Sequence, residues 1–320
     1  SYSMSNTTSS SCVVLSWSDD TFGTRIPIFA ICLIAVPIHI VFWIHMIFYR
    51  SVRQIGMIWL YIYLISDLFL VFRFLLFYGQ RVQKVCIPQA TRIYLCYFEA
   101  VTKIYTNIIQ SYILLGLNVC RYIQIVYNHN VYTKNLGTIL FMLILIFILP
   151  SANIAFQFPI NWAVLSRKLG SLCDIAYTSA GAQAYNLFIV YIIPVSLNLL
   201  FLGLCIRFLS STSHIENQQI RNNRQKFHRT ILVQSIRFYS VWIVLWSPFV
   251  LSFQFINVNS LAGIFTTLLN FIQIAIDPAV VALIDVRFMK AWKNTCRKLV
   301  NNAQRQIQPT SITTTTGRRH

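Results

Sequence analysis

Acidic residues are scarce in this chain of 320 residues, which has 8 Asp and Glu beside 26 Lys and Arg. Charged residues of both signs make up 11% of the sequence and hydrophobic residues 56%, with a mean hydropathy of +0.61. Soluble domains are charged at roughly a quarter of their positions, which is what covers their surface. The composition therefore excludes a soluble globular protein and predicts one that lies in a lipid bilayer.

Three other features are absent from the sequence, and each argues against a particular kind of site or segment. No C-x-x-C pair occurs, so a structural zinc site is not predicted. The basic residues do not form a stripe on a polar segment, which argues against nucleic-acid binding. The amino-terminal segment also lacks the basic start and apolar stretch of a cleavable signal peptide, so none is predicted.

Seven apolar segments are long enough to cross a bilayer as helices, each of which needs about 20 residues. They cover residues 26–49, 57–78, 93–120, 136–157, 184–209, 230–254 and 261–284. We predict an all-α membrane protein, a seven-transmembrane helix bundle over 26–284. Residues 1–25 then form an extracellular segment, and residues 285–320 a cytoplasmic one.

The third segment is the most polar of the seven, and its polar residues are regularly spaced. They are Glu99, Lys103, Asn107 and Gln110. Separations of three and four residues place them on one face of a helix. Polar side chains on one face of a membrane helix normally point into the bundle, so the third helix is predicted to be central.

Lys and Arg residues are unequally divided between the two ends of the segments. The side that includes the carboxyl terminus has Arg50, Arg53, Lys134, Arg207, Arg221, Arg224, Lys226, Arg229, Arg287, Lys290, Lys293, Arg297 and Lys298. The other side has Arg25, Arg81, Lys84, Arg92, Arg167 and Lys168. Positive charge accumulates on the cytoplasmic side. We therefore predict a cytoplasmic carboxyl terminus and an extracellular amino terminus, where Asn6 lies in a glycosylation sequon.

Short motifs stand at characteristic places on these segments. They are Arg121-Tyr122 at the inner end of the third, Cys96 at its outer end, Asp67 in the second, Trp246-Ser247-Pro248 in the sixth and Asp277-Pro278 in the seventh. In this order the motifs resemble the rhodopsin-like (class A) family of G-protein-coupled receptors, over about residues 26–300. The resemblance implies a receptor of the plasma membrane, and not an enzyme, that binds an extracellular ligand and activates a heterotrimeric G protein.

The resemblance also implies roles in activation for two of the motifs. Arg121, beside Tyr122, would engage the G protein, although an arginine at this depth can also extend to the lipid headgroups. Trp246 and Pro248 would form a pivot in the sixth helix, since proline weakens the helical hydrogen-bond ladder. A core tryptophan beside an ordinary kink is the alternative.

A third implied site is a cavity that holds a sodium ion between Asp67, Gln110 and Asp277, the last followed by Pro278. A buried carboxylate is costly unless it is solvated, paired or protonated, and two near one cavity favour a bound cation or a raised pKa. A structural hydrogen-bonding role for Asp67 is the alternative.

Among the cysteines, the resemblance pairs Cys96 with Cys173 of the second extracellular loop. Both lie on the oxidising side of the membrane, where disulfides persist. Cys12 and Cys86 lie on the same side, and whether they pair stays open.

Beyond the last segment, residues 287–299 alternate basic and apolar positions at helical spacing, which predicts a short amphipathic helix in the membrane interface. Cys296 is a candidate for palmitoylation, with a free thiol as the alternative. The tail has hydroxyl residues at Thr310, Ser311 and 313–316, which after phosphorylation would suit arrestin. A disordered tail without that role is the alternative.

The chain departs from the family at the positions that restrain its arginine. Cys120 replaces the acid expected before Arg121, and His228 stands where many relatives have an acid that locks it. The tyrosines expected at Leu202 and Val281 are also missing. We therefore expect basal signalling that differs from that of typical relatives, with a sign that the sequence leaves open.

The expected ligand pocket has mixed charge. Arg73, Glu99, Lys103 and Asn107 would line it with Trp246, which favours a peptide or a small polar molecule. Lys103 stands where amine receptors have an aspartate, so an amine ligand is disfavoured. An internal Glu99–Lys103 pair that contacts no ligand is the alternative.

Retinal is excluded as a cofactor because residues 261–284 contain no lysine for a Schiff base. The remaining function classes are a seven-span ligand-gated channel or a transporter. A transporter would usually show a repeated half, and none is found. His39 and His45 on the first segment have no acid nearby, so we interpret both as non-catalytic.

Overall fold

A computed structural model describes residues 12–49, 55–127, 131–134, 136–166, 170, 172–211, 218–255, 260–284, 288, 289, 293, 294 and 297. Two predicted modification sites, Asn6 and Cys296, lie outside these residues, as does the tail with its hydroxyl residues.

The seven-helix prediction is confirmed, because the described residues contain seven helices that are long and apolar enough to cross a membrane. In chain order the spans are Asp19–Phe48, Ile58–Val82, Gln89–Val126, Leu136–Gln157, Ala180–Ser211, Gln218–Phe255 and Leu261–Ile284. Short helices also occur at Ile55–Met57, before the second span, and at Val131–Lys134, before the fourth.

Several helices extend beyond the apolar segments. The first begins at Asp19 and the second ends at Val82, so Arg25 and Arg81 lie inside helices. Both were predicted to lie outside the membrane segments, at the amino-terminal side, whereas both side chains are buried in the bundle. Hydropathy locates only the apolar part of a helix, and these helices continue into a polar outer layer of the bundle.

The third span is central, as its polar face predicted. In its most apolar window 61% of the residues are buried, against 22% in the fourth span. It packs against the second, fourth and fifth spans, while the first and sixth spans pack against the seventh.

Close packing of the second and third spans depends on Gly116. The ring of Trp59 lies so near that a β-carbon at position 116 would come within 2.7 Å of it. Trp59 is fully buried by this contact. Small residues commonly let membrane helices approach in this way.

The fifth span contains a π-helical stretch, Phe188–Ile192, directly before Pro194. Proline has no N–H to donate, so carbonyls near it need other donors in the bilayer. Asn198 Nδ2 donates to the carbonyl of Pro194 at 2.8 Å, and Tyr112 of the third span donates to that of Ile189 at 2.9 Å. These bonds satisfy the irregular backbone.

Two small antiparallel sheets lie at the end of the bundle that is predicted to be extracellular. In the first, β1 (Cys12–Val14) pairs with β2 (Cys86–Pro88), and a disulfide joins Cys12 to Cys86. In the second, β3 (Ala163–Ser166) pairs with β4 (Asp174–Tyr177) in the loop between the fourth and fifth spans. The predicted Cys96–Cys173 disulfide is present and ties this loop to the third span. The pairing left open for Cys12 and Cys86 is thus decided.

Beyond the last span, residues 288, 289, 293, 294 and 297 are helical. Phe288 is buried and stacks on Phe42 of the first span, with ring centroids 5.2 Å apart. Residues 293, 294 and 297 are exposed. This alternation agrees with the predicted interfacial helix at the positions that are described.

Candidate functional site

At the end of the bundle that is predicted to be extracellular, Glu99 forms a buried ion pair with Arg81 of the second span. Arg81 Nη2 lies 2.6 Å from Glu99 Oε2, and both side chains are almost fully buried. The arginine also donates to the carbonyl of Phe77 at 3.1 Å and lies over the Trp17 ring. Sequence reasoning missed Arg81 because it lies beyond the apolar part of its helix.

The loop between the fourth and fifth spans supplies the partner of Lys103. Because the disulfide fixes Cys173 beside Cys96, the next residue, Asp174, lies over the third span. Lys103 Nζ is 3.3 Å from Asp174 Oδ2, and the backbone N–H of Cys173 donates to Glu99 at 3.1 Å. The loop therefore closes the outer end of the bundle through backbone and side-chain contacts.

An internal Glu99–Lys103 pair, the alternative to a ligand pocket, is not what the structure contains. Each residue turns to a partner on another element, Arg81 for Glu99 and Asp174 for Lys103. Spacing along one helix could not reveal this, because both partners come from segments distant in sequence.

Tyr177, in the same hairpin strand as Asp174, remains protonated beside that carboxylate. Burial and the nearby charge of Asp174 raise the pKa of the Tyr177 hydroxyl above its usual value.

Below these pairs, a narrow cavity lies between the first, second, third, sixth and seventh spans. Its polar lining includes Arg25, Arg73, Lys103, Asn107 and Asn270. The space that water-sized atoms can reach is about 20 Å³, near the minimum that holds one water. Of the predicted ligand residues, Arg73, Lys103 and Asn107 meet here, whereas Glu99 lies above, with Arg81.

Trp246 of the sixth span does not line this pocket but bonds Asn107, which does. Its Nε1 donates to Asn107 Oδ1 at 3.3 Å, and Asn270 of the seventh span donates to the same oxygen at 3.5 Å. The Trp246 ring also stacks on Trp242, with centroids 4.2 Å apart, and Trp242 stacks on Tyr239 at 5.4 Å. A column of three rings therefore runs along the sixth span from Trp246, just before Pro248, towards the end of the bundle where Arg121 lies.

A polar network lies at mid-depth between the second, third and seventh spans. Gln110 Nε2 donates to Asp67 Oδ1 at 2.7 Å. Asp277 Oδ2 accepts from Tyr63 at 2.7 Å and from Gln273 at 3.0 Å. The structure thus unites the three predicted sodium ligands and adds Tyr63 and Gln273, which the sequence analysis missed.

The donor set of this network fits a small hard cation. Four buried oxygens have no hydrogen-bond donor among the described residues: Asp67 Oδ2, Asp277 Oδ1, Gln110 Oε1 and Gln273 Oε1. Carboxylate and amide oxygens are what such cations prefer.

At the opposite end of the bundle, predicted to be cytoplasmic, Arg121 donates a hydrogen bond to the hydroxyl of Ser235 on the sixth span. Ser235 in turn donates to the carbonyl of Ile231 at 2.9 Å. The third and sixth spans are therefore linked here by a neutral partner, where acids are missing at Cys120 and His228. Ser235 was missed because a serine carries no charge signal.

Arg121 and Ser235 line a cavity that opens between the inner ends of the spans. Its other walls include Leu117, Asn118, Tyr239 and Val281. Tyr239, the last ring of the aromatic column, thus reaches the cavity that contains Arg121. Tyr122 is turned away, against Phe201 of the fifth span, with ring centroids 5.4 Å apart.

No protein-family model and no curated protein sequence matches this chain. Among solved structures, its fold is similar to the crystal structure of squid rhodopsin, with a TM-score of 0.68 and 12% sequence identity over 91% of each chain. The architecture is therefore the rhodopsin-like seven-helix fold. At this identity the likeness concerns the fold alone.

Proposed function

We propose that this chain is a G-protein-coupled receptor, which binds an extracellular peptide or small polar molecule and activates a heterotrimeric G protein. The observation that carries the proposal is the connection between its two cavities. Asn107 in the outer pocket bonds Trp246, whose ring leads through Trp242 to Tyr239, beside Arg121. A ligand that moved Asn107 would act directly on this column.

The sixth span contains a proline, Pro248, that would let it transmit such a movement. Pro248 removes one backbone hydrogen bond just beyond Trp246, which permits the helix to bend there. A bend at this point would separate Ser235 from Arg121 and widen the inner cavity for the G protein. The Arg121–Ser235 bond thus stabilises the resting arrangement in place of the missing ion pairs.

We also propose the membrane orientation of the chain, with its amino terminus outside the cell. With Arg25 and Arg81 inside the bundle, the excess of basic loop residues at the carboxyl-terminal side becomes larger than the sequence count suggested. This favours a plasma-membrane receptor with its amino terminus outside. An arrestin that recognises the phosphorylated tail is proposed from the sequence alone. Retinal is not proposed, because Leu261–Ile284 contains no lysine.

Nucleotide exchange tests the proposed function. Membranes that contain the wild-type chain are expected to accelerate exchange on at least one G-protein class above membranes without it, and Arg121→Glu at matched surface levels is expected to abolish this. Ser235→Ala should raise basal exchange about fivefold, since a lost hydrogen bond is worth about 1 kcal/mol, while Ser235→Thr keeps the hydroxyl and should not. Equal exchange by wild type and Arg121→Glu would contradict coupling through this arginine.

We also propose that Asp67, Gln110 and Asp277 hold sodium, whose charge would offset the two buried carboxylates. The expected result is a higher thermal unfolding midpoint in sodium chloride than in choline chloride at equal ionic strength, by about 2–4 °C for each kcal/mol of binding free energy. Asp67→Asn should remove the difference, whereas Asp19→Asn, at an exposed acid, should keep it. A wild type that melts equally in both salts would contradict the site.

A further inference from the structure

Cations outnumber acids at the outer end of the bundle. Among the described residues, the cluster consists of Arg25, Arg73, Arg81 and Lys103 with Glu99 and Asp174, and each cation interacts electrostatically with at least one of the two acids. With every group ionised, two positive charges are in excess. Burying a charge without a counter-charge is costly, so this excess needs a physical reason.

Both acids are already engaged at short range. Glu99 accepts from Arg81 at 2.6 Å and from the backbone of Cys173 at 3.1 Å. Asp174 accepts from Lys103 at 3.3 Å and from the backbone of Ile175 at 3.0 Å. The acids therefore have direct donors, and a cationic group on a ligand would have to displace one of them.

Among these cations, Arg73 is the one whose burial is least compensated by partners in the protein. Its side chain projects from the second span into the cavity and is 6% exposed. Its buried Nε has no hydrogen-bond acceptor among the described residues. Asn270 Oδ1, on the opposite wall, likewise has no donor there. An oxyanion at this point would accept a hydrogen bond from Arg73 Nε, whereas Asn270 Oδ1 is an acceptor and would need a donor group on the ligand.

Apart from Thr267, the rest of the cavity lining is apolar. Phe74, Phe249 and Phe271 form its sides, and Leu172, next to the disulfide-bonded Cys173, closes it towards the outside. The space between them is about 20 Å³, so a ligand larger than one water fits only when these side chains move apart. The lining thus offers a polar end beside the arginines and an aromatic wall for a carbon skeleton.

We propose that the ligand of this receptor is an organic anion, whose carboxylate lies against Arg73 and Arg25 and whose apolar body packs among the three phenylalanines. The inference rests on the proposed receptor function and narrows its ligand from any small polar molecule to a carboxylate. Arginine binds carboxylates with two parallel hydrogen bonds, which makes it the suited cation for this recognition. The carboxylate can belong to a small molecule or to the free end of a peptide.

The first test needs no ligand and compares two arginines of the same cluster in the purified full chain. Removing Arg73 relieves excess charge, so Arg73→Gln is expected to unfold at a temperature equal to or above that of the wild type. Arg81→Gln leaves Glu99 without its ion pair and is expected to unfold well below it. If Arg73→Gln is destabilised as Arg81→Gln is, Arg73 is a structural partner of the acids and the proposal fails.

The second test uses phenylacetate and the dipeptide Leu-Phe, each beside its carboxamide, with sodium chloride at equal ionic strength. At least one free acid is expected to raise the wild-type unfolding midpoint above its amide and the salt, and the responding acid identifies the source of the carboxylate. Arg73→Gln should weaken that acid about 30-fold or more, because it removes one partner of a buried charge pair.

Two outcomes of the second test would overturn the proposal. One is that neither acid exceeds its amide. The other is that the acid acts equally on wild type and Arg73→Gln, which would indicate a general anion effect. Neither test involves a G protein, so a failure of nucleotide exchange and a failure of the anion site are separate results.

Discussion

Arg81→Gln is expected to lower the free energy of unfolding by about 3–5 kcal/mol, because it leaves a buried carboxylate without its cation. Glu99 is 2% exposed, and its second oxygen, Oε1, has no hydrogen-bond partner among the described residues. Glutamine can donate one hydrogen bond to Oε2 but supplies no charge. The measurement is thermal unfolding of the detergent-solubilised chain, followed by tryptophan fluorescence.

The two halves of the pair are expected to behave unequally. Glu99→Gln leaves Arg81 with the carbonyl of Phe77 and the Trp17 ring, although it raises the positive excess of the cluster by one charge. Glu99→Gln should therefore cost less than Arg81→Gln. The double variant should recover most of the loss, since no carboxylate then remains unpaired at this position. A double variant as unstable as Arg81→Gln would show that the arginine acts through packing rather than through its charge.

Trp242→Ala is expected to be the second most disruptive substitution, at about 3–5 kcal/mol. Trp242 is fully buried and stacks on a ring at each side, Trp246 and Tyr239. Alanine would leave a cavity in the middle of the column, within a helix that already contains a proline. The midpoint of thermal unfolding again provides the measurement.

Two variants make this prediction specific. Trp242→Phe keeps an aromatic ring in the stack, and because Nε1 of Trp242 has no acceptor among the described residues, it removes no hydrogen bond; its cost should be well below that of alanine. Trp43→Ala removes a tryptophan that is only partly buried on the first span and should also cost less. If Trp43→Ala is as damaging as Trp242→Ala, the loss reflects tryptophan in general and not the column.

Composition and periodicity were enough to predict the bundle, because a bilayer leaves few ways to satisfy a backbone. Seven apolar segments in a chain with so little charge have to be helices, and the polar face of Glu99, Lys103, Asn107 and Gln110 has to point inwards. The disulfide between Cys96 and Cys173, by contrast, came from the family resemblance, and the structure contains it. The mid-membrane residues Asp67, Gln110 and Asp277 came from the same resemblance and lie in one network.

The sequence could not determine which charged residues form ion pairs or how deeply each one is buried. Hydropathy placed Arg25 and Arg81 outside the membrane segments, although both are buried, because it cannot distinguish a polar loop from a polar outer layer of the bundle. Helical spacing offered Lys103 as a partner for Glu99, whereas the tertiary structure supplies Arg81 and Asp174. These pairings depend on how the helices are rotated and how the disulfide positions the loop. For the same reason, only the assembled bundle shows that Arg73 faces a cavity. It also shows that the two nearby acids, Glu99 and Asp174, already accept hydrogen bonds from Arg81 and Lys103.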